Sequence, residues 1–455
     1  RADWSKDGRT LFVQRQSRDQ TRLDLLAVDP ATGAARVVLT ETSPHWVELH
    51  KDFRPLSDGS FLWSSERSGH RRLYHYRADG RLIRQVTQGD WPVDAVEAVD
   101  EARGLVLFSA SKDTPIERRL YAVSYKRPGE PRALTSAGGW WTSTVARNAA
   151  AFAGTYSDPS TPPRTGLYDR EGRLVRWIEE NRLDASHPYA PFVARHTVPE
   201  YGTVAAEDGQ PMHYSLLKPA DFDPSRRYPA IVVVYGGPGV QRVTRGWQSL
   251  NERLFVEAGY LVFRMDNRGS SNRSTAFKTA IDGRLGVVET ADQLRGVEWL
   301  KRQPFVDAER LGVYGWSYGG TMTLRLLTEP NTPFRAGVSG APVTDWTLYD
   351  THYTERFMET PQANPQGYAD TSLITRLPQL NGELMLIHGM ADDNVTFDNS
   401  TRVMGALQQA SVPFETMVYP GERHGVRPQP KQLHLWRTML GFFERRLQPR
   451  TEASR

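Results

Sequence analysis

Before about residue 190, short apolar runs alternate with polar turns at a nearly constant interval. The segments beginning Leu25 (LLAVDPATG), Leu73 (LYHYRADG), Leu120 (LYAVSYKRPGE) and Leu167 (LYDREG) each set a strand before a turn, at offsets of 48, 47 and 47 residues. A second strand follows each turn, ending in Val38 to Thr40, Val86 and Thr87, or Leu134 and Thr135, and upstream turns recur at Asp7-Gly8, Asp58-Gly59 and Arg103-Gly104. A period in this range, with about four short strands per unit, predicts β-propeller blades. Four of them fit over residues 1–190. A β-sandwich with regular hairpins is the competing arrangement. Four blades make an unusually small ring, and the chain opens at Arg1 with neither an initiator Met nor a signal sequence. Truncation of a larger propeller is therefore the simpler expectation.

From about residue 195 the period changes. Apolar, β-branched runs at Ala230–Tyr235, Tyr260–Met265, Leu311–Gly315, Ala336–Ser339, Glu383–His388 and Phe414–Tyr419 read as parallel strands covered on both faces. Between them lie amphipathic helices, notably Glu289–Gln303 and Asp398–Ala410, and a last helix runs from about Lys431 to Leu447. Strands alternating with helices predict a doubly wound α/β domain over residues 195–455.

Composition narrows the partners. The formal charge is +4, with Lys and Arg interspersed among Asp and Glu, which argues against nucleic acid. No run approaches the roughly 18 apolar residues of a membrane span. Cysteine is absent, which excludes disulfides and thiolate metal sites and leaves the compartment open. The twelve tryptophans point to several separate packing or binding surfaces.

The most informative stretch is Gly315-Trp316-Ser317-Tyr318-Gly319, between a buried strand and a helical run from Gly320 to Glu329. Small residues around the serine fit a strand-to-helix turn too tight for side chains, which displays Ser317 Oγ and frees the next amide as an oxyanion donor. A serine hydroxyl is a poor nucleophile at neutral pH and needs a general base oriented by a carboxylate. In the α/β-hydrolase order the acid and then the histidine follow the serine, so only His352, His388, His424 and His434 qualify. His388 precedes the obvious acid loop, His434 lies along the terminal helix and His352 sits in an aromatic segment. His424, in the Pro420–Gly425 loop, is the favoured base. The acid should come from Asp392 or Asp393. Two adjacent carboxylates cannot both face one imidazole, and Asp392 is preferred, with Asp393 as a capping or structural residue. The Val234–Gly239 loop is positioned to give a second oxyanion donor. From position alone Tyr235 reads equally as that donor or as a core tyrosine.

Together, GWSYGG, the acid loop HGMADDNV (His388–Val395), the segment APVTDWTLYDTHYTERFM (Ala341–Met358) and the VYGGPG loop resemble the prolyl oligopeptidase family of serine peptidases, dipeptidyl peptidase IV branch. The resemblance covers residues 195–455, and the repeats before it resemble later blades of that family's propeller. It implies Ser317 as nucleophile, Asp392 as acid and His424 as base, with Tyr235 and the backbone amide of Tyr318 as the oxyanion hole. Val343, Trp346, Tyr349, Tyr353 and Val395 fall where the family builds its proline pocket, and an aromatic lining suits a pyrrolidine ring with no N–H donor. Asn394 matches the asparagine that holds the carbonyl preceding the proline.

The implied activity is release of N-terminal Xaa-Pro or Xaa-Ala dipeptides from peptides with a penultimate proline. No metal or organic cofactor is implied, a homodimer through the terminal helix is implied by analogy, and so is a periplasmic or exported setting. One departure bears on the product. The branch clamps the substrate amino terminus with paired glutamates and an arginine, whereas the only Glu pair here, Glu179-Glu180, falls in the link between domains. Competing readings are a prolyl tripeptidyl or acylaminoacyl peptidase, an esterase, and a catalytically impaired propeller interaction protein.

Overall fold

The computed structural model describes residues 1–447. By contacts the chain divides into two compact units: Arg1–Ala194 with Thr244–Gln248 and Asn272–Thr279, and Arg195–Val243 with Ser249–Ser271 and the chain from Ala280 on. This differs from one uninterrupted domain over 195–455, because two short stretches group with the first unit. Backbone hydrogen bonds hold them there, from Arg245 N–H to the Ile116 carbonyl and from Thr275 N–H to the Gly69 carbonyl, each at 2.8 Å. The last eight positions of that expected domain lie outside the described residues.

The first unit contains four antiparallel sheets of four strands, each ordered as in the chain. They run from strand Ala2–Trp4 to Ala35–Thr42, from Arg54–Pro55 to Leu82–Gln85, from Val93–Asp100 to Arg132–Ala133, and from Trp140–Val145 to Leu174–Glu179. These are the propeller blades. The repeated leucine explains why they stack, since Leu25 packs with Phe61 and Trp63 of the second sheet. Leu73 packs with Val106 and Phe108 of the third, and Leu120 with Trp141 and Phe152 of the fourth. Each fully buried side chain of this kind is worth about 2 kcal/mol. The glycine of the turn that follows the repeated strand is equally constrained. A Cβ on Gly80 would lie 1.8 Å from the Val38 carbonyl oxygen of the preceding sheet, and one on Gly172 would lie 2.0 Å from that of Leu134. Glu179 ends the last strand and accepts the Asn181 amide at 2.9 Å, a local turn contact.

The second unit carries an eight-stranded sheet: β1 (Glu200–Ala205), β2 (Pro211–Leu217), β3 (Tyr228–Val233), β4 (Leu261–Met265), β5 (Val306–Trp316), β6 (Ala336–Gly340), β7 (Glu383–Gly389) and β8 (Glu415–Tyr419). Their order is β1-β2-β4-β3-β5-β6-β7-β8. The pairs from β4 to β8 are parallel, and β1-β2 and β2-β4 are antiparallel. This is an α/β-hydrolase sheet. The β1-β2 hairpin is absent from the sequence reading because its residues, at a half-exposed edge, alternate polar and apolar too weakly to signal a strand. At the other edge β8 is only partly buried, so it departs from the two-sided cover expected of a central parallel strand.

Five helices matter for the site: α1 (Val287–Lys301), α2 (Tyr318–Leu327), α3 (Thr351–Met358), α4 (Asp398–Gln409) and α5 (Gln429–Leu447). Expected to be amphipathic, α1 instead buries Glu289, Asp292 and Gln293 along with Val288, Val297 and Leu300. Polar partners make this possible. Asp292 takes a bidentate hydrogen bond from Arg268, at 2.7 and 2.9 Å.

Candidate active site

Three absent side chains shape the turn between β5 and α2. A Cβ on Gly315 would stand 2.2 Å from the Gly319 carbonyl oxygen, one on Gly319 would stand 2.3 Å from that of Val234, and one on Gly320 would stand 2.3 Å from that of Gly340. Such contacts exclude every residue but glycine. The reversal leaves Ser317 at φ 61° and ψ −122°, a left-handed backbone that costs a residue with a Cβ about 1–3 kcal/mol. Ser317 N–H donates to the Gly340 carbonyl at 2.8 Å, which ties the turn to β6. Tyr318 is the first residue of α2, so its own N–H has no acceptor within the helix.

Asp392 lies beyond the C-terminal end of β7, with its side chain buried. Its Oδ1 accepts the backbone amides of Asn394 at 2.9 Å and Val395 at 3.0 Å. Its Oδ2 meets His424 Nδ1 at 2.8 Å and His388 Nε2 at 3.1 Å. Burial raises the carboxyl pKa, but the hydrogen bonds from His388, His424 and Asn394 outweigh it and hold the group well below the usual carboxylate range. An ionised carboxylate only accepts, so each imidazole nitrogen facing it carries the proton. For His424 that leaves Nε2 bare and able to accept a proton. His388 Nε2 also faces the Val395 carbonyl at 2.9 Å, while its Nδ1 meets Ser400 Oγ at 2.6 Å.

The acid and base loops are stitched together. Ala391 N–H donates to the Glu422 carbonyl at 2.9 Å, and a Cβ on Gly389 would lie 2.3 Å from the Arg423 carbonyl oxygen. Outside them Asp393 pairs with Arg423, whose Nε is 3.0 Å from Oδ1. The link to the serine turn is through backbone: Trp316 Nε1 donates to the His424 carbonyl at 2.7 Å. Ser317 Oγ and His424 Nε2 form no hydrogen bond here. Among the described residues the His424 imidazole has one side-chain partner, Asp392. Catalytic hydrogen bonds of this kind often tighten only when substrate is bound.

The Tyr235 hydroxyl interacts with the Ser317 side chain, and burial followed by the neighbouring Tyr349 raises its pKa. Its ring is 6.2 Å from that of Tyr318. Trp346 then gathers the remaining aromatics, with Tyr318 at 5.5 Å, Tyr353 stacked at 6.2 Å and Tyr349 edge-on at 6.1 Å. Val343 and Val395 are buried. Asn394 is exposed and accepts the Tyr349 hydroxyl at 3.1 Å. Of the other histidines considered, His434 bonds the Tyr419 hydroxyl at 3.0 Å, and His352 is exposed on α3.

Two family models match the chain. One, the prolyl oligopeptidase family, covers residues 247–450, and the other, the dipeptidyl peptidase IV N-terminal region, covers residues 1–163. The chain belongs to the prolyl oligopeptidase family. Within it, human dipeptidyl peptidase 8 is 30% identical over 519 residues, covering 100% of this chain and 57% of that protein. A probable dipeptidyl peptidase 4 of Aspergillus flavus is 30% identical over 91% of this chain and 55% of its own length. The chain thus spans little more than half of these relatives. The crystal structure of Porphyromonas gingivalis dipeptidyl peptidase 4 is similar at a TM-score of 0.93 and 31% identity, over 98% of this chain and 63% of that one.

Sequence reasoning about this family member missed two groups around the site. His388 was weighed only as a base, whereas it is the second imidazole on Asp392. Glu289, at the start of the expected amphipathic helix, is fully buried under Tyr318. The signal was faint: a lone acid after Val287 and Val288, on the face that α1 buries.

Proposed function

We propose that this chain carries the catalytic domain of a serine exopeptidase releasing N-terminal Xaa-Pro, or less efficiently Xaa-Ala, dipeptides through an acyl-enzyme. Ser317 Oγ attacks the carbonyl carbon of the penultimate residue while its proton passes to His424 Nε2. Asp392 holds the imidazole in the required tautomer and stabilises the cation that forms. The negative charge on the carbonyl oxygen is met by the Tyr318 N–H and the Tyr235 hydroxyl. His424 then returns the proton to the leaving amine, and the C–N bond breaks. Water, deprotonated by the same imidazole, hydrolyses the ester and restores Ser317.

The proposed pocket is the Trp346, Tyr349 and Tyr353 cluster with Val343 and Val395, and Asn394 is the proposed holder of the preceding carbonyl. The observation that carries the reading is the 2.8 Å bond from His424 Nδ1 to Asp392, which leaves Nε2 free to act as a base, and the strained backbone at Ser317 supports it. A homodimer through α5, where Leu433 is exposed, is the proposed assembly, checked by sedimentation.

Ser317→Ala should lower hydrolysis of Gly-Pro-p-nitroanilide by about 10⁴-fold or more with an unchanged melting temperature. Undiminished turnover would refute the assignment. The mass of the fragment released from a longer peptide separates dipeptide from tripeptide release. Turnover of esters alone would make the protein an esterase.

A further inference from the structure

The buried face of α1 holds a carboxyl that the proposed chemistry does not use. Glu289 is 0% exposed, its Oε1 is 2.5 Å from the Tyr318 hydroxyl, and its Oε2 has no hydrogen-bond partner among the described residues. A carboxyl oxygen buried without a partner is destabilising, so a purely structural role would be served better by an apolar side chain.

Tyr318 connects this carboxyl to the proposed mechanism. Its backbone N–H meets the oxyanion, and its ring lies between Tyr235 at 6.2 Å and Trp346 at 5.5 Å. These tilted ring contacts restrain the plane of the phenol only loosely. Among the described residues, the hydrogen bond that fixes its far end is the one to Glu289. Around the pair stand Arg325 from the same helix as Tyr318 and Tyr353 from α3, both electrostatically coupled to Glu289. Among the described residues Arg325 Nε is buried without a partner, so it does not replace the phenol as Glu289's hydrogen-bond donor.

We propose that Glu289 is a positioning residue for the oxyanion hole, anchoring the Tyr318 phenol and thereby the peptide plane whose N–H faces the reacting oxygen. The inference rests on the reading of Tyr318 as an oxyanion donor. A bond that acts only through Tyr318 has a distinctive signature, since removing either partner has the same effect and removing both adds nothing.

The test compares Glu289→Gln, Glu289→Leu, Tyr318→Phe and the double variant Glu289→Leu/Tyr318→Phe. The readouts are kcat and KM for Gly-Pro-p-nitroanilide, melting temperature and fluorophosphonate labelling. Glu289→Gln keeps a carbonyl acceptor for the phenol and should stay within about threefold of the parent. Glu289→Leu and Tyr318→Phe should each lose about tenfold or more in kcat with KM within about threefold, and the double variant should lose no more than either. A folded Glu289→Leu or Tyr318→Phe with parental kcat, or losses that multiply in the double variant, would overturn the inference. Should Glu289→Leu not fold, Tyr318→Phe reads the same bond from the other side. An inactive, unlabelled parent would remove the proposed function and this inference with it, whereas an active parent indifferent to both single changes removes only the inference.

Discussion

Two buried carboxyls of one domain live under opposite rules. Asp392 receives four N–H groups, two from backbone and two from imidazoles. Glu289 receives the Tyr318 hydroxyl on Oε1, and its Oε2 has no hydrogen-bond partner among the described residues. Burial penalises the charged form of both. At Asp392 the donors win and the carboxyl stays ionised far into acid, while at Glu289 burial wins against Tyr318 and the weaker pull of the Gly286 and Glu289 amides, and the pKa rises to about 7. Burial by itself does not set the charge state of an acid. The count of donors aimed at it does.

The contrast breaks most severely at Asp392. Asp392→Asn exchanges an acceptor for a group that also donates, so one imidazole loses its partner or flips its tautomer. A loss of about 10⁴-fold in kcat is expected, with KM little changed, by steady-state kinetics. If Asn at this position is tolerated, the tautomer argument fails.

A smaller effect separates the two groups by pH. Glu289 binds its proton more tightly folded than unfolded, so its contribution to stability is full below about 4.5 and is lost as pH rises through about 7. The loss is on the order of 3 kcal/mol. Asp392 runs the other way: its contribution is present above the ordinary aspartate range and is lost as pH falls through its depressed pKa. Urea unfolding midpoints at pH 5 and pH 8 should therefore converge in Glu289→Gln. An unchanged difference between the two midpoints would show that Glu289 is not the source.

Smallest is the removal of one donor of four. His388→Phe keeps a ring of similar shape but takes an N–H from Asp392, and should cost about 1.5–3 kcal/mol of stability and about tenfold in kcat. Calorimetry and kinetics on the same sample check it. A neutral outcome would mean that three donors suffice.

The difference between these two acids also marks where the sequence could be read. Asp392 is the expected acid because chain order and a loop after a strand restrict the choice to two neighbours, and their surroundings differ: Asp392 faces the imidazoles and Asp393 pairs with Arg423. The glycines at 315, 319 and 320 were legible because close approach leaves one residue type. The blades were legible because the leucines at 25, 73 and 120 repeat their packing against the following sheet. Glu289 was hidden because its environment comes from α2 and α3, distant in the chain, and periodicity carries no record of a partner. The grouping of Asn272–Thr279 with the blades was invisible for the same reason, as was the half-exposed β1-β2 hairpin, whose alternation is too weak to rise above a loop.

The left-handed backbone at Ser317 has a further consequence. Glycine accepts φ 61° without the clash that a Cβ suffers, so a chain with glycine at this one position should hold its fold more firmly than the natural sequence. Endurance and reactivity pull against each other at a single codon. A library sorted for heat resistance alone would drift toward molecules that have shed their proposed nucleophile.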